Sequence, residues 1–239
     1  MTPRWSVVIP AYNEARRLPR YLDSVVSYFD GRGEPYEVLV VDDGSRDATA
    51  AVVRQVAECH AAVRLIRMGQ NRGKGAAVRR GMLLARGRWR LFTDADGATP
   101  ITELKRLEPA LFAGADVAIG SRGMSDVSVA LETRRHRVLA GRVFNWIVHR
   151  AGLSGIHDSQ CGFKAFSAEA ADALFPLIVT AGFGFDVELL LRARAAGFTV
   201  VEVAVNWSDQ PGSKSSVVRD GPRMLWQIAR ARRRVGRIA

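Results

Sequence analysis

Residues 37–58, EVLVVDDGSRDATAAVVRQVAE, pass from an unbroken apolar run through a polar, glycine-containing turn into a stretch with helical spacing. A short apolar run bounded by turn signals reads as a buried strand, and the following residues as an amphipathic helix over 46–58. The same order recurs on either side. Residues 5–9 form a strand-like run that opens into PAYNE, after which Leu18, Leu22, Val25, Val26 and Phe29 recur at helical spacing within 14–29. Residues 89–93 form another such run and lead into DADGAT; 116–120 and 198–207 supply later strands. Repeated strand–helix units predict an α/β fold with a predominantly parallel central sheet and ligands at the carboxyl ends of its strands.

The 239 residues suffice for one substantial core and are short for two. The expected organisation is one catalytic-size domain over 1–218 and a basic amphipathic segment over 219–239. Thirty-five basic against 24 acidic residues leave +11, which favours anionic partners without choosing among phosphates, nucleic acid and lipid. Two cysteines, Cys59 and Cys161, exclude a four-thiolate metal site or a dense disulfide framework and suit a reduced, cytoplasmic protein. MTPRWSVVIPAYNE has only a short apolar stretch, and no window has the 18–20 apolar residues of a membrane span. Peripheral contact with an anionic membrane is the expected alternative to spanning.

The chemistry gathers after the strands. Pro10 and Tyr12 can wall a nucleobase, while Glu14 or Asp42 can accept hydrogen bonds from a base or a ribose; a shaped turn and helix caps explain the same letters. No Walker motif and no GxGxxG follows the first strand, which weakens ATPase and nicotinamide readings. Gly73 and Lys74, in NRGKG, precede a helix-compatible run whose backbone N–H groups can meet phosphate. In LFTDADGAT, Asp94 and Asp96 lie two residues apart just beyond a strand, so an extended backbone turns both carboxylates to one face. Such a pair can hold a hard divalent cation against a diphosphate.

Taken together, SVVIPAYNE (6–14), VDDGS (41–45), NRGKG (71–75), DADGAT (94–99), Ser121-Arg122 after VAIG, DSQCGFKAF (158–166) and WSDQPGSKSS (207–216) resemble the family 2 GT-A glycosyltransferases, in particular the dolichyl-phosphate β-glucosyltransferase-like branch. The motifs fall in family order over nearly the whole chain. The resemblance implies a GT-A Rossmann-like nucleotide-diphospho-sugar transferase fold and an inverting transfer of glucose from UDP-glucose to dolichyl or another polyprenyl phosphate. GDP-mannose as donor, a soluble hydroxyl acceptor and a noncatalytic nucleotide-sugar-binding module are the rival readings. The resemblance makes Pro10, Tyr12, Glu14, Asp42, Gly73, Lys74, Asp94 and Ala95 donor-binding residues, and Asp94 and Asp96 the ligands of Mg2+ or Mn2+, with Asp96 the stronger. Related mannosyltransferases often carry Gln where this chain has Ala98, which has no side-chain ligand to offer. Eukaryotic members of the resembled branch commonly carry an amino-terminal membrane anchor, and the expectation from this sequence is that it lacks one.

On the acceptor side, Asp158 can orient an acceptor, stabilise a cationic neighbour or take a proton. Gln160, Lys164 and Trp207 are expected to bind acceptor or sugar. Arg134 and Lys214 are the expected acceptor-phosphate ligands, since the resembled enzymes carry basic residues in these two regions. A phosphate acceptor is already largely ionised near neutral pH, with a second pKa near about 6, and needs positioning more than a base. Val138, Leu139, Val143, Phe144, Ile147 and Val148 lie among arginines, as the buried face of a helix or a surface turned to lipid phosphates. The tail, with Trp226 before Arg230 and Arg232–Arg234, reads as a solvated helix end, a phosphate-facing arm or an interfacial anchor. No RRM, zinc-finger or helix-turn-helix signature accompanies the charge, so no specific nucleic acid is expected.

Overall fold

Successive strand side chains point to opposite faces of a sheet, and here both faces are buried: Val7 and Ile9 enter one core, Val8 the other. The computed structural model describes residues 2–124, 126, 129, 131–132, 149–150, 152–210 and 217–236. In chain order these form β1 (Trp5–Ala11), α1 (Leu18–Asp30), β2 (Tyr36–Asp42), α2 (Thr49–Cys59), β3 (Val63–Arg67), α3 (Lys74–Leu84), β4 (Trp89–Thr93), α4 (Leu104–Phe112), β5 (Val117–Ser121), β6 (Leu131–Glu132), β7 (Phe163–Ser167), α5 (Ala168–Leu174), α6 (Phe185–Ala195), β8 (Val200–Ala204), β9 (Trp207–Ser208) and α7 (Val217–Val235).

The main sheet has the order β3-β2-β1-β4-β7-β5-β8, and β6 pairs with β9 apart from it. Six of its seven strands share one direction; β7 alone runs antiparallel, between β4 and β5. The predominantly parallel sheet expected from the sequence is thus present, with one reversed strand that hydrophobic spacing did not reveal. Strand order reverses at β1 and β4, whose carboxyl ends leave the crevice where open α/β sheets take ligands. Because β7 is reversed, pairing Phe163 with Thr93 brings the 158–162 loop to that same end.

Helices α1, α2 and α4 cover one face around Leu22, Val25, Phe29, Val53, Leu104 and Leu107. Helices α3, α5, α6 and α7 cover the other around Val78, Met82, Phe185, Leu190 and Ile228. Burying each such large side chain contributes about 1.5–3 kcal/mol. The apolar face read in 14–29 is the buried face of α1, but the helix starts only at Leu18. Glu14 to Arg17 form a turn in which the Glu14 carbonyl accepts from Arg17 and Leu18. Helix α2 likewise starts at Thr49, because Asp47 Oδ1 accepts from the Thr49 N–H at 3.0 Å.

The single strand expected over 198–207 is two strands, β8 and β9. Asn206 between them turns away to Glu103, with N to Oε2 at 2.9 Å and Nδ2 to Oε1 at 2.8 Å. Helix α7 runs across the boundary expected at 218/219, and Ile228, Ala231 and Val235 are buried. The apolar strip at 138–148 lies outside the described residues.

Candidate active site

Three loops interlock at the carboxyl ends of β1 and β2. Beyond β1, the Asn13 N–H donates to Ser45 Oγ at 2.9 Å, Glu14 N–H to Thr49 Oγ1 at 2.8 Å, and Arg46 N–H returns to Asn13 Oδ1 at 2.8 Å. Asn13 has φ +53°, a left-handed conformation that Asn tolerates better than most residues. At the end of β2, Asp42 is completely buried; its Oδ1 accepts from Ser45 N–H at 2.9 Å, while Oδ2 has no hydrogen-bond donor among the described residues and stands 3.6 Å from Arg67 Nε. Its neighbour Asp43 accepts from the Arg72 and Gly73 N–H groups, each at 2.8 Å.

These bonds set the start of α3. Gly73 precedes it at φ +102°, and a Cβ there would lie 2.5 Å from the Ala181 carbonyl oxygen, so glycine is required on both counts. Lys74 then reaches across to β4, placing Nζ 2.5 Å from Asp94 Oδ1. Burial lowers the lysine's pKa, but Asp94 and Asp186 outweigh burial and hold it above the ordinary lysine value. Arg17 grips Glu14 with Nε and Nη2 at 2.7 and 2.6 Å, and its Nη1 lies 3.5 Å from Asp96 Oδ2. Burial, then the charge of Asp94, pushes the Asp96 carboxyl above its usual range. The two aspartates therefore share one negative field, which suits a cation. Among the described residues no three His, Cys, Asp or Glu side chains are grouped to hold a metal. Asp94 and Asp96 could hold a divalent cation if substrate oxygens and water completed its ligands.

The 158–162 loop adjoins this pair. The Asp94 N–H donates to the Gly162 carbonyl at 3.0 Å, and a Cβ on Gly162 would overlap the Asp94 carboxylate. Asp158, 5% exposed, is bound by Arg122: Oδ2 accepts from Arg122 N–H at 3.0 Å and Nε at 2.6 Å, and Oδ1 from Nη2 at 2.9 Å. Oδ1 also accepts from Gln160 N–H at 3.1 Å. Four donors fill both oxygens. Burial pushes the Asp158 carboxyl up, but the Arg122 charge and hydrogen bonds outweigh it and hold the group below the ordinary value. Arg122 in turn lies over the Trp207 ring, 5.4 Å from its centroid. Glu202 on β8 accepts from the Asp158 N–H at 2.7 Å and from His157 Nδ1 at 2.9 Å. The Ser208 N–H bonds the Ala98 carbonyl at 3.0 Å, tying β9 to the aspartate loop.

Of the residues singled out in the sequence, Glu14, Lys74, Asp94 and Asp96 are brought together with Asp158 and Gln160 beside them. Ala95 is buried in the core on the α1 face, Pro10 is buried within β1, and Tyr12 is half-buried beyond it. Lys164 lies elsewhere than expected. It is fully buried, with Nζ 2.6 Å from the Cys161 carbonyl and 2.5 Å from Asp186 Oδ1, and its position beneath the site corrects the reading of it as an acceptor-facing side chain. Arg134 and Lys214 lie outside the described residues. Arg122, Arg17 and Asp186 were given no role from the sequence. Only Arg122 had a signal there, as part of the Ser-Arg pair that ends β5.

The profile of Glycosyl transferase family 2 matches residues 6–175. A dolichyl-phosphate beta-glucosyltransferase of Dictyostelium discoideum is 37% identical over 95% of this chain and 73% of its own length. Its counterpart from Drosophila melanogaster is 41% identical over 87% of this chain and 68% of its own. Among solved structures, glucosyl-3-phosphoglycerate synthase from Mycobacterium tuberculosis in complex with UDP superimposes with a TM-score of 0.72 at 21% identity, over 98% of this chain and 80% of that one. Mannosyl-3-phosphoglycerate synthase from Rubrobacter xylanophilus gives 0.70 at 21% identity, over 97% and 73%. These two likenesses establish the GT-A-like fold. With the interlocked loops, the aspartate pair and the profile in agreement, the chain belongs to glycosyl transferase family 2.

Proposed function

We propose that the protein transfers glucose from UDP-glucose to dolichyl or another polyprenyl phosphate, with inversion at the anomeric carbon. The observation that carries the phosphate acceptor is Asp158. A hydroxyl acceptor needs a base to take its proton, whereas all the lone-pair sites of Asp158 are committed to Arg122 and Gln160. A phosphate monoester arrives largely ionised and asks for positioning and countercharge instead. The relatives named for transfer to dolichyl phosphate support the same acceptor.

In this reading Asp42 Oδ2, buried and without a donor among the described residues, accepts a hydrogen bond from the nucleotide's base or ribose. Pro10 and Tyr12 flank the base, and Glu14 holds Arg17 toward the diphosphate. Asp94 and Asp96 would hold Mg2+ or Mn2+, which would neutralise charge on the leaving diphosphate. An acceptor phosphate oxygen attacks the anomeric carbon from the face opposite UDP. The new carbon–oxygen bond forms as the bond to the diphosphate breaks, and the electron pair leaves with UDP. Arg122, fixed by Asp158 and stacked on Trp207, supplies positive charge at the acceptor side; Gln160, Arg134 and Lys214 are the further acceptor candidates. Trp226 is 60% exposed on α7 with Arg230 5.0 Å from its ring centroid, a pairing suited to peripheral contact with anionic lipid.

Mass spectrometry of the purified protein with UDP-glucose and Mn2+, offered a short polyprenyl phosphate and the matching polyprenol, tests the acceptor. The expected product is glucosyl phosphate lipid from the phosphate alone. Glucosylation of the free alcohol would contradict the reading, and turnover with GDP-mannose in place of UDP-glucose would overturn the donor.

A further inference from the structure

We propose that Lys74 and Arg17 are resident counter-ions of the aspartate pair, so that a divalent cation is admitted together with a nucleoside diphosphate and not ahead of it. This rests on the donor-site reading above and adds the order in which that site fills.

Each aspartate has its own side-chain cation, Lys74 Nζ on Asp94 at 2.5 Å and Arg17 Nη1 toward Asp96 at 3.5 Å. Neither cation is loosely held. Lys74 leaves a backbone fixed by Asp43 and by the Ala181 carbonyl, which accepts from the Ala76 N–H at 3.2 Å. Behind it lies Asp186, a second negative charge acting on Lys74, itself bound to the buried Lys164. Arg17 is anchored through two nitrogens on Glu14, while the third, Nη1, is buried and has no hydrogen-bond partner among the described residues. That nitrogen stands ready for an incoming acceptor atom.

The charges explain the order. Glu14, Asp94, Asp96 and Asp186 against Arg17, Lys74 and Lys164 leave the cluster one net negative charge. A divalent cation alone reverses that sign and meets an ammonium and a guanidinium at close range. A cation arriving with a diphosphate, which brings about two negative charges in a nucleotide sugar and about three in UDP, keeps the cluster negative, and the phosphate oxygens take up Lys74 and Arg17 and free the aspartates. Metal and diphosphate then tighten each other's binding by one common factor.

The test is titration of Mn2+ by electron paramagnetic resonance on the full chain, with and without UDP, for the wild type, Lys74→Met and Lys74→Arg, with thermal melts as the folding check. Without UDP, Lys74→Met is expected to bind Mn2+ about tenfold more tightly than the wild type, because a charge next to the metal is gone. Lys74→Arg keeps the charge and is expected to match the wild type. In Lys74→Met the mutual tightening by Mn2+ and UDP shrinks by the same factor. Unchanged or weaker Mn2+ binding by Lys74→Met without UDP overturns the inference and leaves the donor reading standing. Failure of every form to bind Mn2+ even with UDP removes the donor reading and this inference with it.

Discussion

Asp158 binds four donors, and its partner Arg122 is a third exposed, so the pair joins a fixed carboxylate to a cation that still meets solvent. Replacing Asp158 with Asn leaves the Arg122 charge without its counter-ion. The expected cost is about 2 kcal/mol, less than for a pair buried at both ends, measured by urea unfolding. The pH dependence follows from the depressed carboxyl. The unfolded chain takes up this proton at a higher pH than the folded one. The stabilisation is therefore complete above the ordinary carboxyl value and is lost as pH falls through the folded value. Asp158→Asn should lack that acid limb. The carboxylates of the site could be read from the sequence because they stand two residues apart or beside a strand end. Arg122 stood out as half of the Ser-Arg pair, but its role could not be read, since its partner lies 36 residues away and the chain has many arginines. Lys164 was misread for a related reason: a lysine in a polar loop looks solvent-facing until the fold supplies Asp186 from α6.

At the scale of elements, strand–helix alternation was legible because apolar runs of 4–5 residues and helical spacing are local signals. The reversal of β7 was not. Direction is decided by which neighbours a strand pairs with, and the Phe163–Thr93 register that joins the two loops is a tertiary fact. Helix starts were also placed too early, because Glu14 and Asp47 take backbone and side-chain bonds that end the loops before the helices begin. Gly162 is the tightest consequence of the β7 register. Gly162→Ala should displace the Asp94 carboxylate and lower kcat/KM for UDP-glucose by about 100-fold, the effect of a roughly 1 Å misplacement. Its melting temperature should change far less than its activity. Leu22→Ala, in the fully buried face of α1, should do the opposite, losing about 2–5 kcal/mol of stability with the loops' chemistry intact.

Across the whole molecule, two buried layers hold a sheet whose carboxyl ends gather the loops after β1, β2 and β4 and the 158–162 loop before the reversed β7. No helix among the described residues is long and apolar enough to cross a membrane. The net charge of +11 and the exposed Trp226–Arg230 pair predict salt-sensitive binding to phosphatidylserine vesicles in co-sedimentation. Trp226→Ala should weaken it, and equal binding to neutral vesicles would contradict the electrostatic account. Because the aspartate pair is held by side-chain cations, chelation with EDTA should abolish transfer while leaving the melting temperature within a few degrees of its starting value.

The central claim is inverting glucosyl transfer to a lipid phosphate, and proton NMR of the product tests it most directly. With UDP-α-glucose, a short polyprenyl phosphate and Mn2+, the account predicts a β-glucosyl phosphate whose anomeric proton is coupled to phosphorus. An α-linked product, or glucose released to water with no lipid product, would contradict it.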